Sequence, residues 1–170
     1  MFKIGETVIH MRDVCRIDEL VKNYRDGEDY YRLSTIDDQG LTIYTPVSNT
    51  RNVMRKIMSK QAAKDLIKKI PSIKPLETDG RSLAVEYKDL LNRGTHEDCI
   101  KIIKTAYGRN ALRIKENKKG SENDKIYFRL AENVLYAEIA VALGMSVKQA
   151  REYVVEQVSS MAMPAATPSS

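Results

Sequence analysis

The chain has no tryptophan, only two phenylalanines and only two cysteines, and these shortages remove whole classes of function before any motif is sought. Cys15 and Cys99 lie far apart, and neither belongs to a set of Cys and His residues that completes a metal site, so no zinc site or disulfide framework is read from them. No apolar run approaches the roughly 20 residues that cross a bilayer. The stretch Met1-Phe2-Lys3-Ile4-Gly5-Glu6 lacks the basic-then-apolar order of a signal segment. The expectation is a cytoplasmic protein with ordinary reduced thiols and no membrane contact.

Catalytic equipment is equally sparse. There are two histidines, His10 in a strand-like run and His96 at a helix start, where Glu97 and Asp98 beside it are expected for capping reasons alone. A glycine-rich phosphate loop, a nucleophile elbow and a metal-ligand cluster are all missing. Asp37-Asp38 reads as a turn rather than an acid/base pair. No enzyme, no catalytic residue, no metal, no cofactor and no small-molecule substrate are expected.

What is present is an ordinary foldable mixture, 42% hydrophobic and 30% charged over 170 residues, with unevenly placed charge. Residues 1–55 hold 8 Lys/Arg against 9 Asp/Glu, a net of −1, whereas residues 101–129 alone hold 9 basic and 3 acidic side chains, a net of +6. A polyanion is the natural partner of such a stretch, with a solvated lysine-rich helix as the plainer alternative.

The hydrophobic period changes once along the chain. Residues 6–10, 14–17, 30–36 and 41–47 are short β-prone runs, punctuated by Arg25-Asp26-Gly27-Glu28 and by Asp37-Asp38-Gln39-Gly40. Their spacing suggests a small antiparallel barrel, with Pro46 ending a strand or lying on an edge. From Ser59 the period is helical, with a first stripe of Ala62, Leu66, Ile67 and Ile70 and a Pro71–Pro75 linker. Leu83, Tyr87, Leu90 and Leu91 mark a second helix that Gly94 breaks. Thr95 caps a third, faced by Ile100, Ile103, Ala106, Tyr107 and Leu112.

Residues 117–120 form a basic loop, and Ser121 opens the longest helix, faced by Tyr127, Leu130, Val134, Leu135, Ala137, Ile139 and Leu143. Gly144 ends it, and Ser146 to Gln149 fits a capping box for a last helix. Leu143 to Ala150 has the look of a helix-turn-helix, but any two helices joined by a glycine C-cap and a serine N-cap share that look, and Glu152 and Glu156 would repel phosphates. The expected class is α+β in two domains: a small antiparallel β barrel over 1–56 and an all-helical domain over 57–158. A disordered tail is expected over 159–170.

The opening Met1-Phe2-Lys3-Ile4-Gly5-Glu6-Thr7-Val8-Ile9 resembles the start shared by CarD/CdnL transcription regulators and the polymerase-interacting domain of transcription-repair coupling factors. The resemblance continues through Val14 to Ile17, Tyr30 to Leu33 and Leu41 to Val47. Glu86 to Gly94 is similar to the family's helix ending in Leu-x-x-Gly, and Ser121 to Leu143 to its long C-terminal helix. It covers roughly residues 1–155.

The resemblance implies that the β domain over 1–56 is a Tudor-like barrel that docks an exposed strand onto the β subunit of RNA polymerase. It puts Lys22 or Arg25 at one contact and Tyr44 at another, where actinobacterial members carry arginine. It further implies that the helical domain contacts the backbone and minor groove of promoter DNA nonspecifically, modulating open-complex stability. Candidates for that role are Arg81, Arg109, Arg113, Lys115, Lys118, Lys119, Lys125 and Arg129, with Lys125 and Arg129 four apart on one helix face. Family members place a wedging tryptophan at the position of Gly80. Glycine cannot wedge, although Arg81 is placed to enter the groove instead.

Two rival readings follow from the same residues. One is an adaptor whose basic helices bind an acidic protein surface. The other is a Tudor-like module that holds a small molecule or RNA on Tyr24, Tyr30 and Tyr31.

Overall fold

A computed structural model describes residues 1–37 and 40–162. Asp38 of the expected Asp37-Asp38 turn, and residues 163–170 of the expected tail, lie outside the described residues. The chain divides into two compact units, Met1–Met58 and Ser59–Ser170.

The first unit is a five-stranded antiparallel sheet made of β1 (Thr7–His10), β2 (Asp13–Arg25), β3 (Glu28–Thr35), β4 (Thr42–Pro46) and β5 (Met54–Lys56). Its strand order is β4-β3-β2-β1-β5. Arg25 pairs with Glu28 across a two-residue turn, where Asp26 and Gly27 both have positive φ, 52° and 77°. That is the twist a tight hairpin needs, and glycine adopts it without steric penalty. One face carries Val8, Cys15, Ile17, Tyr31, Leu33 and Met54 into the core, covered by Phe2, Leu20, Ile43, Val47 and Val53.

Two expectations change in this unit. The sheet is open rather than a closed barrel: β4 and β5 form its two borders, and among the described residues no ladder joins them. β5, at three residues, offers too short a partner for closure and pairs only with β1. β2 also runs eight residues past the expected Ile17, to Arg25. Its distal half carries Glu19, Lys22 and Asn23 on open surface beside the half-buried Asp18, which hides the strand signal, and its register shifts between Ile17 and Glu19.

Both cysteines are core residues, Cys15 with no exposed surface and Cys99 with 1%. Burial, with Asp13 and Asp37 adding to it, pushes the Cys15 thiol up to about 12. The thiolate is the reactive form, so the native chain is expected to give no rapid reaction of Cys15 or Cys99 with a chromogenic disulfide reagent. Both should react once guanidinium unfolds the chain. Fast stoichiometric labelling of the native protein would contradict this core placement.

The second unit packs α1 (Lys60–Lys69), a 3-10 turn (Ile70–Ser72), α2 (Leu83–Arg93), α3 (His96–Lys115), α4 (Glu122–Leu143) and α5 (Val147–Ala162). Local capping decides where the helices begin. The hydroxyls of Ser59, Thr95 and Ser121 accept from the amides of Ala62, Asp98 and Asp124. Ser146 and Gln149 exchange hydrogen bonds of 2.9 and 3.1 Å, the reciprocal pair of a capping box. No single helix among the described residues is long and apolar enough to cross a membrane.

The core differs from the expected stripes in specific places. In α1 it is Ala63, not Ala62, that is buried beside Leu66 and Ile67. In α3, Tyr107 and Leu112 are 68% and 56% exposed, and Cys99 and Ile102 take the interior. In α4, Leu130 is exposed, while Asp124, Glu132 and Glu138 are buried. The Pro71–Pro75 stretch is no free linker. Ile73 is buried, the Lys104 ammonium donates to the carbonyls of Ile70 and Ile73, and the Thr105 hydroxyl accepts from the Leu76 amide at 2.8 Å. Residues 159–162, expected in the tail, continue α5.

Candidate functional site

In the sheet unit, β4 is a border strand with β3 as its single neighbour. Backbone hydrogen bonds from Thr35 to Leu41 and from Val47 to Asp29 fix the phase of that ladder. Opposed pairs in an antiparallel ladder alternate between exchanging hydrogen bonds and facing away from them. The pairs Leu33↔Ile43 and Tyr31↔Thr45 are therefore the bonded ones, and Thr42 and Tyr44 turn their N–H and C=O groups outward. Among the described residues no segment takes these groups up. An edge of this kind accepts a further strand.

The outer face beside that border is aromatic. Tyr24 and Tyr44 stack with ring centroids 4.6 Å apart and planes 2° off parallel, and Tyr30 tilts against Tyr24 at 5.1 Å. A second register shift in β2, between Val21 and Arg25, lets Tyr24 reach Tyr44 across β3, and Asn23 sits within it at φ 51°. Lys22 and Arg25 are exposed on the same distal half of β2. Tyr31 does not join the cluster. It is buried and donates to the Phe2 carbonyl at 3.0 Å. Of the three tyrosines considered for a cage only two converge, and Tyr44 already occupies the face of Tyr24 that a planar ligand would need.

Residues 2–58 match the CarD-like/TRCF RID domain family. The match falls within the sheet unit and supports a CarD-like RNA polymerase-interacting domain there, a class of interaction module rather than an enzyme class. It is narrower than the resemblance read from the sequence, which ran to about residue 155. No curated protein matches the chain.

The helical unit brings residues distant in sequence to one end. Gly80, at φ +87°, lies so close to Arg109 that a Cβ there would sit 3.2 Å from Nη1 and 3.3 Å from Nη2. The guanidinium therefore occupies the space a side chain at position 80 would fill. Arg109 Nε reaches Asp124 Oδ2 at 3.3 Å, and Tyr87 donates to Asp124 Oδ1 at 2.9 Å. Asp124 is 1% exposed, and its hydrogen bond, after burial, raises the Tyr87 phenol above its ordinary value. Arg109, 27% exposed, is thus first a fold-internal partner of a buried carboxylate.

The other candidates around it are open to solvent. Lys115, Lys118, Lys119, Lys125 and Arg129 are exposed, and Arg113 is half-buried. Lys125 folds over the loop at Gly120, where a Cβ would lie 3.1 Å from its Cε, and its ammonium is 3.6 Å from Glu122. Lys118 pairs with Glu116 at 3.1 Å, and Arg81, 89% exposed, with Asp79 at 3.4 Å. Exposed pairs of this kind are worth little, so these cations can exchange a carboxylate for a phosphate at small cost. His96 is set apart from this surface, its Nε2 2.8 Å from Glu138, which is 2% exposed.

Sequence reasoning missed the Tyr24–Tyr44 stack and the buried Tyr87–Asp124–Arg109 network. Nothing in the local pattern marks Asp124 as buried, because a carboxylate in the first turn of a helix is also what capping predicts.

Proposed function

We propose that the chain is a bacterial, cytoplasmic transcription regulator. In this reading its Tudor-like sheet unit binds the β subunit of RNA polymerase, and the helical unit contacts promoter DNA nonspecifically and modulates open-complex stability. The observation that carries the reading is the CarD-like/TRCF RID match over residues 2–58, on a unit whose β4 border faces solvent with its outward backbone groups untaken. Strand addition along Thr42–Pro46 would supply main-chain hydrogen bonds, and Lys22, Arg25 and Tyr44 would supply side-chain contacts.

The cations at the α3–α4 end of the helical unit would neutralise phosphates without reading bases. Tethering to polymerase raises their effective concentration near the promoter, so modest DNA affinity suffices. With Gly80 in place of an apolar side chain, and Arg109 filling that space, nothing apolar is offered at that position for insertion into a base step.

The test of the DNA half is K125E/R129E. Both side chains are exposed on α4, and a glutamate in its first turn suits the helix dipole, so the fold should survive. Duplex affinity at low salt should fall about tenfold or more, and the slope of log K against log salt should shrink by about two units, one per lost phosphate contact. Unchanged duplex affinity would return the patch to solvent or to an acidic protein partner.

A further inference from the structure

A second cationic stretch opens the helical unit, some 35 residues before the 109–129 cluster in sequence. Between Ser59 and Pro75 the chain carries five lysines, Lys60, Lys64, Lys68, Lys69 and Lys74, against the single acid Asp65. All five are exposed. Lys60, Lys64 and Lys68 recur every four residues, so they stand in one row along α1, while Ala63, Leu66 and Ile67 are buried behind them.

The row is not balanced. Lys69 pairs with Glu97 at 3.3 Å, and Asp65 accepts from Gln61 at 2.9 Å, but Lys60, Lys64 and Lys68 have no carboxylate partner among the described residues. Like charges four apart on a helix repel, and of the three only Lys68, in the last turn of α1, is favoured by the helix dipole. Beyond the end of α1 the cationic surface continues: Lys69, Lys74 and Lys101 line an open groove of about 460 Å³ together with Ser72 and Glu97.

We propose that the α1 lysine row is a second phosphate-binding surface for duplex nucleic acid, separate from the 109–129 cluster. The three lysines span about 12 Å along the helix axis, a length over which a DNA duplex presents about seven charges. Lysine is a compact point charge without bidentate geometry, suited to a regular polyanion.

The exposed side of α1 carries Lys60, Gln61, Ala62, Lys64, Asp65, Lys68 and Lys69, with no aromatic residue and no arginine. Protein interfaces are enriched in aromatics and arginine and depleted of lysine, which disfavours an acidic protein as the occupant. Single strands are held by stacking on aromatic rings, and the row offers none, which favours a duplex. The inference extends the DNA half of the proposed function and is independent of the polymerase contact.

The experiment uses the full chain, a duplex of about 30 base pairs without polymerase, and a salt series read by fluorescence anisotropy. K60Q/K64Q/K68Q should reduce the log–log salt slope by two to three units and weaken low-salt binding at least tenfold. K60R/K64R/K68R should keep wild-type affinity. The melting temperature of the Gln variant should stay within a few degrees of wild type, because the repulsion removed is offset by the loss of Lys68 from the C-terminal turn.

An unchanged slope in the Gln variant, with loss only in K125E/R129E, would overturn this inference and leave the proposed DNA contact standing. No duplex binding by the unaltered chain would overturn both. Retained duplex affinity with lost binding to a polyglutamate probe would overturn it in favour of an acidic protein.

Discussion

D124A is expected to destabilise the helical unit by about 3–5 kcal/mol, the cost of stripping one partner from a buried ion pair. Asp124 is 1% exposed and holds both the Arg109 guanidinium, at 3.3 Å, and the Tyr87 hydroxyl, at 2.9 Å. Tyr87 itself has no exposed surface, so its hydroxyl would be left without an acceptor in the core. Arg109, packed against the backbone of Gly80, would keep its charge without a counter-ion.

The melting temperature should fall by roughly 10–20 °C for a unit of this size, read by circular dichroism at 222 nm. D124N keeps an acceptor for Tyr87 but removes the charge and sets an amide donor against Arg109 Nε, and its melting temperature should fall between those of wild type and D124A. A D124A protein melting within a degree or two of wild type would show that the network is dispensable. The same reasoning separates Arg109 from its exposed neighbours: any loss of DNA binding in R109A would report weakened packing, whereas K125E/R129E tests phosphate contact on an intact fold.

The sequence made the helix boundaries legible because they are local. Ser59, Thr95, Ser121 and the Ser146–Gln149 pair each satisfy amides within three residues, so composition alone reveals them. The Asp26-Gly27 turn is visible for the same reason. What stayed hidden depends on distant partners. Asp124, Glu132 and Glu138 have no place in the expected apolar face of the long helix, yet lie buried beside Arg109, Arg151 and His96, partners 15, 19 and 42 positions away. Strand β2 was shortened because its distal half faces solvent with charges, and β5 was missed because three residues carry no periodicity. The open border of the sheet follows from that short β5.

The candidate surfaces divide in the same way. Exposure of Lys118, Lys119, Lys125 and Arg129 follows from their charge, but the placing of Gly80 against Arg109 is a tertiary fact with no sequence signal. The α1 row could have been found by counting charge over 59–75, and it was overshadowed by the larger excess in 101–129.

T42P should abolish capture of RNA polymerase by the full chain while leaving the sheet folded. Thr42 is exposed on the border strand, and the ladder phase turns its N–H away from β3, so proline removes a donor that no internal hydrogen bond uses. Proline is tolerated at edge positions of this kind, as Pro46 already is at the end of the same strand. An incoming strand would lose that donor, leave its own carbonyl unsatisfied and meet the pyrrolidine ring.

One unmet buried acceptor costs about 1–3 kcal/mol, so affinity should drop by about tenfold to a hundredfold before the steric term is added. T42A keeps the N–H and should bind as wild type does. The Y24A/Y44A pair removes the stacked rings beside the border and should weaken capture less than T42P, because the main-chain bonds survive. If T42P pulls down polymerase as well as T42A does, the partner does not add a strand at β4, and the contact must be sought on the Tyr24–Tyr30–Tyr44 face alone.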